Sequence, residues 1–212
     1  MRDLLQEGII AAVLGTGIRL AAPFLLAGIG ELFSQRSGVY NLGVEGVMML
    51  GAFTAFIVAW SVGLLYLAVV AAVLVGVLMG LIMAFISVTL EGEQGITGIG
   101  LYMFGWGLSG LLFRRYVGFI TSVQGFGPLK VAGLSSFPLV GPILFHHNWF
   151  VYLSLLMVAL SAVVLNRTPW GLNVRAVGMK PEAADSLGVS VSRVRYQCVV
   201  LGSALAALAG AA

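Results

Sequence analysis

Charge is scarce in this sequence: 11 Lys and Arg and eight Asp and Glu make up 9% of 212 residues, against 60% that are hydrophobic. A water-soluble domain of this size cannot clothe its surface with so few charges, and a mean hydropathy of +1.06 makes lipid the solvent. Cysteine is nearly missing. The single Cys198 lies in an apolar stretch, which excludes a disulfide framework and offers no metal-ligand spacing. His146 and His147 are adjacent and have no third ligand at useful spacing, so they form an interfacial polar pair rather than a metal site. No nucleophile, base and orienting group come together, so neither a catalytic residue nor a metal ligand is expected. A GxxxxGK[ST] phosphate loop is also missing, so the chain itself does not hold ATP by that route and needs no cofactor of its own. The opening MRDLLQEGIIAAVLG carries Asp3 and Glu7 in place of a positive start and has no small-residue cleavage site, so it reads as retained rather than as a signal peptide.

Glycine is abundant instead. Twenty-nine glycines, dispersed through apolar runs without a Gly-X-Y period, suit helices that pack closely through small residues. Gly76 with Gly80, and Gly202 with Ala206 and Gly210, are spaced by four and lie where two helix backbones can meet. Gly105, Gly107 and Gly110 spell GxGxxG, but within an apolar run and not after a strand, so they are packing glycines rather than a dinucleotide fingerprint.

Crossing about 30 Å of hydrocarbon takes about 20 apolar residues. Six runs of that size are present: Gly8–Phe33, Leu42–Trp60, Leu64–Leu90, Gly95–Phe113, Asn148–Asn166 and Tyr196–Ala212. The expected fold class is all-α, a polytopic transmembrane helical bundle of about six spans forming a single domain over residues 1–212. The first run is too long for an upright span and holds Arg19, which predicts an interfacial lead-in and then a span starting near Arg19 and Pro23. The last run ends in LAALAGAA with no charged or aromatic anchor, so the domain is expected to be incomplete at its C-terminus. Arg36, Arg167, Arg175, Lys180, Arg193 and Arg195 fall on one side, against Arg2, Arg114, Arg115 and Lys130 on the other. Because most of the first group crowds between Arg167 and Arg195, that side is read as cytoplasmic and the N-terminus as outside, in a cell membrane. The net charge of +3 thus reflects topology and not nucleic-acid binding. The Gly/Pro-rich connection from Arg114 to His147 is expected to pack against the outer mouth.

Two regions stand out. In ELFSQRSGVYNLGVEGVMMLGAF, residues 31–53, Asn41 and Glu45 are polar groups among glycines, costly in hydrocarbon unless they face the bundle interior or a watery path. A glycine-rich break there would also expose backbone groups able to bind a solute. Two roles stay open for Glu45: lining such a path, or ending a helix at the interface, hydrated or paired with Arg36. The second region, residues 168–195, describes a short docked helix rather than a solvated linker. Pro181 suits a first turn, Glu182 and Asp185 complement the positive helix end, Ala183 and Ala184 give a small face, and Gly188 supplies the stop. Leu187 and Val189 beside that face make an apolar knob that needs a groove on another protein or on the bundle itself.

At these two regions the chain resembles the permeases of branched-chain amino acid, ribose and simple-sugar or nucleoside ABC importers, in particular the nucleoside/simple-sugar branch. Ser34 to Met49 is similar to that branch's SERSGVxNxGxEGMM signature, and Asn173 to Gly210 to its RAVGxNPxAAxxxGIxVxRxK segment and following small-residue helix. Glu182, Ala183, Ala184 and Gly188 match EAAxxxG, the wider importer pattern. Gln35 stands where an acid is common and Lys180 where Asn is usual, and Glu93, Gln94 and Gly95 resemble an Asn-Gln turn before the fourth span. The resemblance implies a transport subunit and not an enzyme, with ATP hydrolysed on separate ATP-binding subunits. It further implies a second permease subunit, identical or related, and an extracytoplasmic solute-binding protein, with a nucleoside or simple sugar as solute. Under it, Asn41, Gly43, Glu45, Gly46 and Gln94 are placed near the substrate path, and Lys180, Pro181, Glu182, Ala183, Ala184, Leu187 and Gly188 form the helix that couples to the ATPase. A self-sufficient secondary transporter or channel is the competing class; it would more typically carry ionisable residues in mid-span, whereas here they sit at span edges.

Overall fold

The computed structural model describes residues 2–118, 123, 125–127, 129, 130 and 146–212. In hydrocarbon a backbone N–H or C=O has no water to bond, so each apolar run closes its own hydrogen bonds as a helix. The long helices are α1 (Arg2–Arg36), α2 (Val44–Val62), α3 (Leu65–Ala84), α4 (Gln94–Tyr116), α5 (Trp149–Arg167) and α8 (Val191–Ala211). A π-helical turn, Phe85–Thr89, prolongs α3, and two short helices, α6 (Pro169–Met179) and α7 (Pro181–Ser186), join α5 to α8. Among the described residues, six helices are long and apolar enough to cross a membrane. A two-residue antiparallel ladder pairs Leu129 with His147 and Lys130 with His146. Most of the connection expected at the outer mouth, from Arg114 to His147, lies outside the described residues.

The first span differs from expectation. Helix α1 runs unbroken through Arg19 and Pro23 for 35 residues, so any lead-in is continuous with the span. Proline withholds one N–H from the ladder, a loss a membrane helix tolerates. At 1.5 Å per residue the helix is roughly 52 Å long, so one continuous rod both spans the core and protrudes from it. Arg19 is exposed.

Helix α8 is the hub. Half of its span is buried, against 22–33% for the other five. Its small residues explain this: a Cβ on Gly202 would meet Gly30 O at 2.5 Å on α1, and one on Gly76 of α3 would meet Ser203 O at 2.6 Å. Gly80 stacks on Val200 and Ser203, Gly51 on Ala207, and Gly210 on Met48 of α2. Both small-residue series seen in the sequence therefore serve one helix from three sides. The GxGxxG series behaves differently, because only Gly105 packs, against Gly46, while Gly107 and Gly110 face open space.

These contacts leave no room for side chains, which gives a testable contrast. Gly202→Leu should lower stability by about 1–3 kcal/mol or more through overpacking. Gly107→Ala should raise it by about 0.5–1 kcal/mol by stiffening an open helical position. Thermal unfolding of the detergent-purified protein, followed by circular dichroism, measures both.

Candidate functional site: a latched turn and a docked helix pair

After α1 the chain does not leave the bundle. Gly38 adopts φ +84, a left-handed conformation that glycine takes at no steric cost, and the backbone folds back along α1. The Asn41 amide N–H then donates to Glu31 Oε1 at 3.2 Å, well before the helix end at Arg36. Non-helical backbone at this depth needs partners, and side chains supply them. Tyr40 N–H donates to Gln94 Oε1 at 2.9 Å, and Gln94 Nε2 donates to the Gly38 carbonyl at 3.5 Å. Asn41 Oδ1 accepts from Gly43 N–H at 3.0 Å, forming an Asx turn that launches α2, and Asn41 Nδ2 donates to Ser203 Oγ at 3.4 Å on α8.

The expected path residues thus come together, but with distinct tasks. Asn41 is buried and occupied by the turn. Gly43 and Gly46 set α2 against α4: a Cβ on Gly43 would meet Gly98 O at 3.0 Å, and one on Gly46 would meet Tyr102 Cα at 2.6 Å. Gln94 latches the turn to α4. Glu45 alone is exposed, in the first turn of α2, where a carboxylate complements the positive helix end. Glu31 and Ser203 were not singled out from the sequence. Glu31 carried a usable signal, a carboxylate four residues before Gln35 in an apolar run, and Gln35 Nε2 donates to it at 3.0 Å. Ser203 had none. Glu31 Oε2 and Ser34 Oγ are buried and without a partner among the described residues.

The second region forms two helices, not one. Thr168 Oγ1 accepts from Gly171 N–H at 3.1 Å and Pro169 follows, so α6 starts with both a cap and a proline in its first turn. It buries Gly171, Val174 and Val177. Helix α7 buries only Ala184, and Gly188 ends it at φ +82. Glu182, Ala183 and Asp185 are exposed, as are Lys180 and Gly188, while Pro181 is half-buried. The knob is split between the two grooves expected for it: Leu187 is 84% exposed, whereas Val189 packs against the bundle cluster that includes Val174 and Val194; Met179 is also exposed, at 82%.

This pair is fastened to the turn. Phe33 and Trp170 rings lie 5.9 Å apart, Trp170 Nε1 donates to Gln197 Oε1 at 2.9 Å, and Arg195 Nε donates to the Ser37 carbonyl at 3.3 Å. Gly178 sits against the Arg36 carbonyl. At the start of α4, Glu93 caps the helix by accepting from Gly95 and Ile96 N–H groups, and those bonds hold its carboxyl below the ordinary glutamate value.

Six apolar spans among the described residues, with a turn folded back into the bundle and a docked helix pair, define a multi-pass helical membrane protein. The family described as branched-chain amino acid transport system / permease component matches residues 13–212, and the chain belongs to it. TsgC13 of Haloferax volcanii, an ABC transporter permease protein whose name suggests glucose as solute, is 37% identical over 205 residues, covering 95% of this chain and 62% of that protein. The guanosine ABC transporter permease protein NupQ of Bacillus subtilis is 31% identical over 220 residues, covering 98% of this chain and 68% of its own length. The nucleoside ABC transporter permease protein NupC of Lactococcus lactis is 30% identical over 200 residues, covering 90% and 63%. The chain therefore spans 62–68% of the length of these relatives. No solved structure matches it.

Gln94→Leu removes both latching bonds, and should cost about 1–3 kcal/mol and expose the turn to proteolysis. Glu93 has a lowered folded pKa, so its contribution is present above about pH 4.3 and is lost as pH falls through the lowered value. The melting-temperature difference between wild type and Glu93→Gln should accordingly exist at neutral pH and vanish in acid.

Proposed function

We propose that this chain is the membrane-spanning permease part of an ATP-driven importer for a nucleoside or simple sugar. The observation that carries this reading is the α6–α7 pair, which packs Val174, Val177 and Ala184 onto the bundle while leaving Met179 and Leu187 exposed beyond the ends of the spans. Large apolar side chains at that exposure need a partner groove. ATP-binding subunits supply it, and ATP is held there and not by this chain. A second permease subunit completes the path, and an extracytoplasmic solute-binding protein delivers the solute. The names of the relatives, glucose for one and guanosine or nucleoside for two others, support the solute class.

Movement of the ATP-binding subunits would reach the path by contact. Lys180, Pro181, Glu182, Ala183, Ala184, Leu187 and Gly188 form the coupling element, and the cluster of Phe33, Val177, Ala184 and Cys198 transmits its displacement to α1 and α8. The turn at residues 38–43 is tied to both helices and to α4, so it moves with them. In this scheme Asn41, Gly43, Gly46 and Gln94 frame the path mouth, and Glu45 faces it. An exposed carboxylate where a helix starts inside the bundle is costly against lipid and cheap beside water, which supports that placement. The cation-rich side is cytoplasmic and the N-terminus outside, following the positive-inside rule.

Co-purification with the ATP-binding subunit, together with solute-stimulated ATP hydrolysis, tests the coupling. Glu182→Lys with Gly188→Trp, or Leu187→Asp alone, should abolish both while membrane insertion stays normal. Variants that retain both would overturn the importer reading and favour an autonomous transporter.

A further inference from the structure

Between the ends of α1 and α5, beside α6, lies a cavity of about 250 Å³. Its membrane-side wall is apolar, with Leu32 and Val158 partly open to the bilayer at 38% and 41% exposure. Its upper wall holds Arg36, Asn166 and Arg175. Arg36 belongs to the last turn of α1, and Asn166 is the second-last residue of α5, so this end of the cavity lies at headgroup level. The Arg175 side chain is not free in water: its Nε is buried and has no partner among the described residues. A buried guanidinium N–H left unpaired is costly and calls for an acceptor.

The charge balance says which acceptor. Among the described residues, no carboxylate lines the cavity. The C-terminal ends of α1 and α5 each supply roughly half a negative charge, so two guanidinium charges leave about one positive charge uncompensated. A phosphodiester carries one negative charge and the oxygens that a guanidinium fork fits. Free phosphate would leave the apolar lower half of the cavity empty, whereas a diacyl lipid fills it.

We propose that this cavity binds the headgroup of a monoanionic phospholipid, its phosphate between Arg36 and Arg175 and an acyl chain along the α1–α5 seam. The lipid would bridge α6 to the two spans on which the helix pair rests. This site is independent of the solute path and of the importer reading, so either can fail without the other.

Native mass spectrometry of the purified full chain, exchanged into phosphatidylglycerol or phosphatidylcholine, tests it. Wild type should retain phosphatidylglycerol in preference, and Arg36→Gln and Arg175→Gln should each reduce its occupancy about fivefold, with Arg115→Gln at the opposite end unchanged. Equal retention of the two lipids, or an Arg36→Gln, Arg175→Gln double variant that binds like wild type, would overturn the proposal. Displacement of the lipid by millimolar inorganic phosphate would overturn it in favour of a soluble anion. Should the variants fail to fold, thermal unfolding of wild type decides: phosphatidylglycerol must raise the melting temperature over phosphatidylcholine, and no shift refutes the site.

Discussion

The whole bundle depends on backbone meeting backbone at α8. Lipid tails are as apolar as leucine, so burial alone does not drive membrane helices together; close van der Waals contact between small surfaces does. Helix α8 offers Gly202, Ser203, Ala206, Ala207 and Gly210 in successive turns, and α1, α2 and α3 answer with Gly30, Gly51, Gly76 and Gly80. With no side chains between them, these four helices have little freedom to slide, and this rigidity fixes everything at their ends.

The turn at residues 38–43 exists because of that hub. Its backbone lies inside the bundle, where unpaired amides are expensive, and it survives by borrowing Glu31 from α1, Gln94 from α4 and Ser203 from α8. Each of these helices must be in place for the turn to hold its shape. The same helices carry the α6–α7 pair through Phe33, Trp170, Gln197 and Arg195. The α6–α7 pair and the turn are thus joined by contiguous packing rather than by a flexible tether.

Much of this was legible in the sequence, and the exceptions have physical reasons. The spans followed from hydropathy because helices are the only open segments lipid permits. The small-residue spacing pointed to Gly76, Gly80, Gly202 and Gly210 as contact positions, but not to the fact that both series meet on one helix, since spacing says nothing of partners. The stop at Gly188 was readable from chemistry that acts within a few residues. Helix α6 was not, because its apolar positions are interrupted by Arg175 and its start lies directly after the end of α5. Leu187 and Val189 were read as one knob with its groove left open between another protein and the bundle; Val189 packs on the bundle while Leu187 stays exposed, which only the tertiary position of α8 decides. Asn41 was recognised as a polar group in a costly place and Gln94 only through the resemblance, but a sequence does not distinguish a group that meets solute from one that satisfies backbone.

Glu45 is therefore the residue on which the account turns, as the exposed carboxylate beside the latched turn. A Glu45→Cys variant in a Cys198→Ser background, assembled with its ATP-binding subunits in sealed vesicles, can be probed with a membrane-impermeant thiol reagent from either side. The account predicts labelling whose sidedness changes when ATP is supplied. A cysteine that stays unreactive from both sides, with and without ATP, would place this face in lipid and contradict it.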